Sequence, residues 1–275
     1  MITLNANKIL SFLKNGHIPV YGMGSYNLGG KHIESDGYFG ENAFANIELP
    51  ATTKNSETDM FSPTAMIHYV RKYPKQVHFI CIGPLTNIAL AFLLDNEFPS
   101  LVGSISIMGS DSSSTTFMNV TPYAEFNAHV DPWAFKIVGE HFTTLQTPII
   151  LFDWYLCWNN LLPFEMINKV QEYGCLKQNT HLELMAIITD SRNEILRKNF
   201  WKTGFLTADL FAGVGFHTPS IITGRKRVSL ENIEISGEKF GHTIYKDDTS
   251  GVFELITSVD VPKMAELVLK VLLDA

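Results

Sequence analysis

The sequence predicts an α/β fold: an open, mostly parallel sheet with helices on both faces, then a short β segment and a closing helix at the C-terminus. Three observations carry this. From residue 60 onward, short apolar β-rich runs alternate with helical ones. The runs at 76–82, 101–108 and 147–152 are apolar nearly throughout, as strands covered on both faces are. Each ends at a residue that breaks or redirects the chain: Gly83-Pro84, Gly109 and Asp153.

Taken in order, Ala6 to Leu13 reads as a helix with Ile9, Leu10 and Leu13 on one face, closed by Asn15-Gly16. His17 to Tyr21 reads as a short strand entering a Gly-rich turn, and 29–59 as loop. Pro63 to Lys72 carries Met66, Ile67 and Val70 at helical spacing, and Thr86 to Leu94 is Ala/Leu-rich enough for a buried helix. Asp131-Pro132 supplies an N-cap and a first-turn proline for a helix through Val138. Phe164 to Phe200 reads as mainly helical. Short β runs follow at Val228–Leu230 and Ile233–Ile235, and Asp260 caps a last helix with Met264, Leu267, Val268 and Val271 on one face. No linker or repeat divides the chain, so one domain over 1–275 is expected.

Composition excludes several classes. The formal charge is −7, and Arg225-Lys226-Arg227 is the only basic run, so no nucleic-acid partner is expected; the triplet reads as the solvated start of a strand. No stretch approaches the ~18 apolar residues of a spanning helix, and no secretion signal is visible at Met1–Lys14, so no membrane partner is expected. Cys81, Cys157 and Cys175 show no metal or disulfide spacing, which fits a reducing, cytoplasmic setting. Phosphate-loop, zinc-protease and serine-hydrolase signatures are absent, and Gly22-Met23-Gly24 is only a fragment of a dinucleotide fingerprint.

In a parallel sheet, ligands gather at the carboxyl ends of the strands. There the sequence places Gly83 to Asn87, then Asn119 with Thr121 to Asn127, then Asp153-Trp154. Asn119, Glu125 and Asn127 would share one rim. Two amides and a carboxylate suit a polyhydroxylated ligand, which needs both donors and acceptors. The same groups could instead cap and brace their own loop.

These segments together resemble the nucleoside hydrolase family (inosine-uridine preferring N-ribohydrolases). The resemblance rests on Gly83 to Ala89 (Gly-Pro-Leu-Thr-Asn-Ile-Ala), on Met108-Gly109, and above all on Asn119 to Ala134, which matches the family's ribose loop without a gap. It implies hydrolysis of the N-glycosidic bond of ribonucleosides, with Ca²⁺ binding the ribose hydroxyls and a water. By resemblance, Asn119, Glu125 and Asn127 hold ribose, while Asp209 and the Ile82 carbonyl are calcium ligands. A homodimer or homotetramer is implied as well.

Three departures bear on activity. Where the family has His-Asp-Pro this chain has Ala208-Asp209-Leu210, so that imidazole is missing; His217-Thr218-Pro219 falls too late and reads as loop. Phe39 to Ala45 departs from the family's His-Gly-x-Asp-Gly-Leu-Gly. The family's Asp-x-Asp-Pro-Gly-x-Asp-Asp segment, which carries the general base, has no counterpart in the 275 residues. The expectation is therefore impaired catalysis with weakly bound Ca²⁺. The alternative is a non-catalytic relative that binds a nucleoside, ribose or a protein partner. Asp36 and Asp153 are the other carboxylates that could serve a metal.

Overall fold

The computed structural model describes residues 2–30, 37–50, 59–113, 119–145, 148–176 and 179–274. Helix α1 (Ile2–Phe12) comes first. Then α2 (Ser62–Lys72) leads into β1 (His78–Cys81), α3 (Thr86–Leu94), α4 (Phe98–Leu101) and β2 (Ser104–Met108). Next come α5 (Phe126–Val130), α6 (Pro132–His141), β3 (Ile149–Phe152) and α7 (Trp154–Asn159). The predicted helical stretch resolves into α8 (Phe164–Cys175), α9 (Thr180–Ile188) and α10 (Glu194–Asn199), followed by α11 (Asp209–His217). The chain closes with β4 (Ile222–Ile233), β5 (Thr243–Asp247), β6 (Phe253–Val259) and α12 (Val261–Asp274).

Among the described residues the sheet has six strands in the order β1-β2-β3-β6-β4-β5. The pairs β1–β2, β2–β3 and β3–β6 are parallel, and β4 joins β6 and β5 antiparallel. The expected mostly parallel α/β architecture is present. The inner strands β2 and β3 are buried or half-buried along their length and bury apolar residues on both faces. Ile105, Ile107, Ile149, Leu151, Phe253 and Leu255 point into one core with α3 and α6. Met108, Phe152 and Ile256 point into the other, with α7, α8, α11 and α12. On that second side the Ser106 hydroxyl donates to the Ala212 carbonyl at 3.0 Å, fastening α11 to β2.

Several expectations need correction. His17–Tyr21 shortens to an isolated β-bridge at Val20, and Met23 bridges to Phe61 just beyond it. A strand needs a partner along its length, and β1 ends the sheet as its edge, with Ile80 and Ile82 exposed. The separate β runs after Arg227 are one 12-residue strand, β4, bulged between Leu230 and Asn232. Strand β6, central in the sheet, was not expected, because Glu254 and Thr257 interrupt its apolar run. Asn127 lies in α5 rather than in loop, and His217 ends α11. Thr147, the expected start of β3, lies outside the described residues.

Other expectations hold. Asp131 caps α6, accepting from Ala134 N at 3.0 Å, and Asp260 caps α12, accepting from Lys263 N at 3.0 Å. The basic triplet lies within β4, where Arg225 pairs with Glu254 (3.0 Å) and Lys226 with Asp247 (2.9 Å). Cys81 turns its thiol into the first core, and burial pushes it up to about 12. No helix among the described residues is long and apolar enough to cross a membrane.

Candidate active site

The carboxyl ends of β1, β2 and β3 lie side by side, because Cys81 is in register with Ile107 and Met108 with Phe152. The segments leaving these three strands therefore share one rim of the sheet. Ile82 succeeds β1, Gly109 to Ser113 succeed β2, and Asp153 succeeds β3.

Glu125 is the N-cap of α5 and is buried. One of its carboxylate oxygens accepts from Ser110 N (2.7 Å) and Ala128 N (3.1 Å), and the other from Asn127 N (2.9 Å). A carboxylate has about four acceptor sites, so these three bonds leave room for about one more donor. Burial, opposed by the three backbone bonds, raises Glu125 to about 7, with a smaller push from the charge of Asp209. Asn127 is buried and its amide donates to the Met108 carbonyl at 3.0 Å. Asn119 accepts from Phe126 N at 2.9 Å. The hydrogen bonds bear out the bracing reading of this segment. Glu125 and Asn119 fasten the turn that presents them, and the turn is fixed before any ligand arrives.

Asp209 opens α11, beside the turn where Cys157 donates its thiol to the Ala208 carbonyl at 3.8 Å. Its side chain is reachable by solvent, yet enough protein surrounds it that desolvation raises it to about 6. Residue exposure and this shift point opposite ways; a carboxyl in a recess open at one side satisfies both. Asp209 and Glu125 are brought together, since the charge of each also acts on the buried Cys157 thiol.

Two further acids stand at the same rim. Asp153 caps α7 through Leu156 N (2.9 Å) and also accepts from the amide (2.9 Å) and hydroxyl of Ser112. Asp111 accepts from Ser113 N (2.8 Å) and its hydroxyl (2.6 Å). Burial raises both, and Asp153 adds to the rise at Asp111. Among the described residues none of the four carboxyls has a cationic partner, so one or more can hold a proton near neutral pH. Asp111 and its serine-rich turn were not singled out from sequence. Their signal was the polar Ser110-Asp111-Ser112-Ser113 directly after a buried strand.

For calcium, the candidate donors are the Asp209 carboxylate and the Ile82 carbonyl. Ca²⁺ takes six to eight oxygens. No group of three or more His, Cys, Asp or Glu among the described residues could hold a metal, and Asp153 is spent on its cap. Asp36 lies outside the described residues. The described donor set does not by itself fit a calcium ion.

The mostly parallel sheet thus presents acids and amides at the carboxyl ends of its strands, the place where α/β enzymes hold their ligands. The profile of the inosine-uridine preferring nucleoside hydrolases matches residues 1–266, and the chain belongs to that family. It is 25% identical over 248 residues to "Probable uridine nucleosidase 1" of Oryza sativa, covering 86% of this chain and 70% of the rice protein. It is 35% identical over 140 residues to the "Pyrimidine-specific ribonucleoside hydrolase RihA" of Shewanella baltica, where the match spans 49% of this chain and only 41% of that protein. The fold is shared with an inosine-guanosine nucleoside hydrolase (TM-score 0.84, 22% identity, 98% of this chain and 85% of that one). It is also shared with a purine-preferring ribonucleoside hydrolase from Gardnerella vaginalis (TM-score 0.81, 22% identity, 97% and 83%).

Proposed function

We propose that this chain binds the ribose of ribonucleosides at Asn119, Glu125 and Asn127 and acts on the N-glycosidic bond, with low catalytic power in these 275 residues. The observation that carries the reading is the buried Glu125, held by three backbone N–H groups beside Asn127, with the Asp209 carboxyl close enough to feel its charge. Family membership supports the reaction class. The named relatives act on uridine, pyrimidine or purine ribonucleosides, so a ribonucleoside is the ligand to test first.

In the reaction, water adds to the anomeric carbon as the base departs with the bonding pair, and the sugar passes through an oxocarbenium-like state. Anionic and amide groups under the ring stabilise that positive charge. Asn127 and Asn119 would orient hydroxyls, and Asp209 would face the developing cation. Ala208 has no group to protonate a departing base, which removes one source of rate worth roughly 10²–10⁴-fold. Of the calcium ligands that the family resemblance implies, the described residues supply Asp209 and the Ile82 carbonyl, too few for an ion that takes six to eight oxygens, so no step is assigned to calcium.

The second reading, a binding protein without turnover, is favoured by Ala208, which stands where the family carries an imidazole. One experiment separates the two. Uridine and inosine are incubated with the chain, with and without Ca²⁺, while calorimetry follows ribose binding. Saturable binding with slow, calcium-insensitive release of base is expected. Absence of any ribose or nucleoside binding would overturn the ligand assignment, and rapid calcium-dependent turnover would overturn the low catalytic power.

A further inference from the structure

We propose that β5 is the positioning strand of the sugar site, with Tyr245, Thr243 and the adjoining Gly241 fixing both chain segments that hold Glu125 and Asn127 in place. This rests on reading those two residues as ribose-binding.

The geometry is one of alternation. Residues two apart along an extended strand face the same side. Positions 243 and 245 therefore share one side of β5, and they and Gly241, in the turn just before the strand, each touch the site's framework. The Tyr245 hydroxyl meets the Ser110 hydroxyl at 2.7 Å. Thr243 donates its hydroxyl to the Asp111 carbonyl at 2.9 Å and accepts from Asp111 N at 3.4 Å. At Gly241 a Cβ would stand 2.6 Å from His129 Cα and 3.1 Å from Ala124 Cβ, so backbone packs on backbone there; its φ of +87° also demands glycine. Beside it, the Phe240 carbonyl pairs with His129 Nδ1 at 3.0 Å.

These contacts end on the groups that matter. Ser110 is fully buried and held at φ +63°, a costly conformation for a serine. In that conformation its N–H reaches Glu125 at 2.7 Å. Tyr245 braces Ser110 through the side-chain hydroxyl while Glu125 takes the backbone N–H, and the Tyr245 ring is set edge-on against Phe253 of the central strand β6, 6.0 Å between centroids. Burial holds the Tyr245 phenol protonated, so the hydroxyl is available for this contact throughout the neutral range. The antiparallel extension of the sheet thus acts on the site through Ser110 and Asp111 from β5 and through His129 from the β4–β5 connection.

The test uses the full chain and a readout that needs no turnover. Amide hydrogen exchange is compared between the wild type, Tyr245→Phe and Ser110→Ala. Exchange at Ser110, Asn127 and Ala128 is expected to rise about tenfold, the effect of losing about one hydrogen bond's worth of local stability. Amides of Ile149–Phe152 should stay as protected as before. Thr243→Val should loosen Asp111 and its neighbours, and Thr243→Ser should restore them. With ribose as the probe, affinity should fall about tenfold in Tyr245→Phe and stay unchanged in Lys246→Ala, on the exposed end of the same strand. Wild-type exchange in both Tyr245→Phe and Ser110→Ala would overturn the proposal, as would raised exchange with unaltered ribose affinity. If the wild type binds no ribose, the functional reading fails, and the positioning role for a sugar site falls with it. The exchange data then still decide separately whether β5 braces the loop.

Discussion

Asp131 and Thr86, 45 residues apart in the chain, meet through a 2.6 Å hydrogen bond in which the Thr86 hydroxyl donates to the Asp131 carboxylate. Asp131 is fully buried and also accepts from Leu28 N (3.0 Å) and Ala134 N (3.0 Å). Asn27 reinforces the junction by donating to the Val130 carbonyl at 2.8 Å. One carboxylate thus ties the turn after β1, the segment near residue 28 and the start of α6 into a single block under the candidate site.

Removing that carboxylate strands three donors in a dry environment. Asp131→Ala should destabilise the chain by about 3–5 kcal/mol, combining a lost cap with unpaired buried groups. Thr86→Val removes one donor and keeps the shape, and should cost about 1 kcal/mol. Urea denaturation of the two variants checks the ratio; equal effects would show that Asp131 does not act as a shared acceptor.

Stability should fall as pH rises through the neutral range. Glu125 is raised to about 7 from an ordinary value near 4.5, and Asp111 and Asp153 are raised as well, each chiefly by burial. An acid with a raised folded pKa binds more protons folded than unfolded, so its stabilisation is present below the unfolded value and is lost as pH climbs through the folded one. Asp95 and Asp248 are shifted the other way, the first by Arg71 and the second by Ser229 and Ser250, to about 2 for Asp248. Their contribution disappears toward strong acid. The urea midpoint, measured without added metal, should therefore be higher at pH 5 than at pH 8, with a further fall below about pH 4. A midpoint that rises from pH 5 to pH 8 would contradict the burial of these carboxyls.

How far the sequence made this legible depends on whether a signal was local. The strands β1, β2 and β3 announce themselves by largely apolar, β-rich runs, and Asp131 and Asp260 by cap chemistry beside proline or an apolar helix face. The Asn119–Ala134 match drew attention to Glu125 and Asn127, which the structure joins by a hydrogen bond, and the charge of Asp209 acts on Glu125. Strand β6 stayed hidden because its central place depends on pairing with β3 and β4, which alternation in Phe253–Val259 does not reveal. Tyr245 was equally invisible, since its partner Ser110 is 135 residues away and only the folded sheet brings them together. The strand expected at His17–Tyr21 shrinks to a bridge at Val20 for the reverse reason: apolar residues alone do not supply a long pairing edge.

The seating of α11, which presents Asp209, depends on a glycine. A Cβ at Gly215 would lie 2.2 Å from the Phe152 ring, and that ring is fully buried in β3. Gly215→Ala should push α11 off the sheet and cost about 1–3 kcal/mol by overpacking, despite the better helix propensity of alanine. Gly213, with open space at its Cβ on the same helix, should gain stability on the same change. Thermal melts of the pair give the sign; stabilisation of both would mean that the helix–strand contact is looser than described.

The final prediction separates holding the loop from holding the sugar. Glu125→Gln places an amide N–H₂ where three backbone N–H groups now point at a carboxylate, so at least one of the bonds to Ser110, Asn127 or Ala128 is lost. It should lower stability by about 1–2 kcal/mol and weaken ribose binding together. Asn127→Ala instead removes a buried amide that donates to the Met108 carbonyl at 3.0 Å and approaches its sulfur at 3.7 Å, and leaves the Glu125 bonds to backbone N–H groups in place. Its stability cost should stay near about 1 kcal/mol, while ribose affinity falls by roughly tenfold or more, because a bidentate amide contact to hydroxyls has no substitute nearby. Calorimetry with ribose and urea melts on both variants provide the comparison. Undiminished affinity in Asn127→Ala would remove that residue from the site and leave Glu125 as a cap alone.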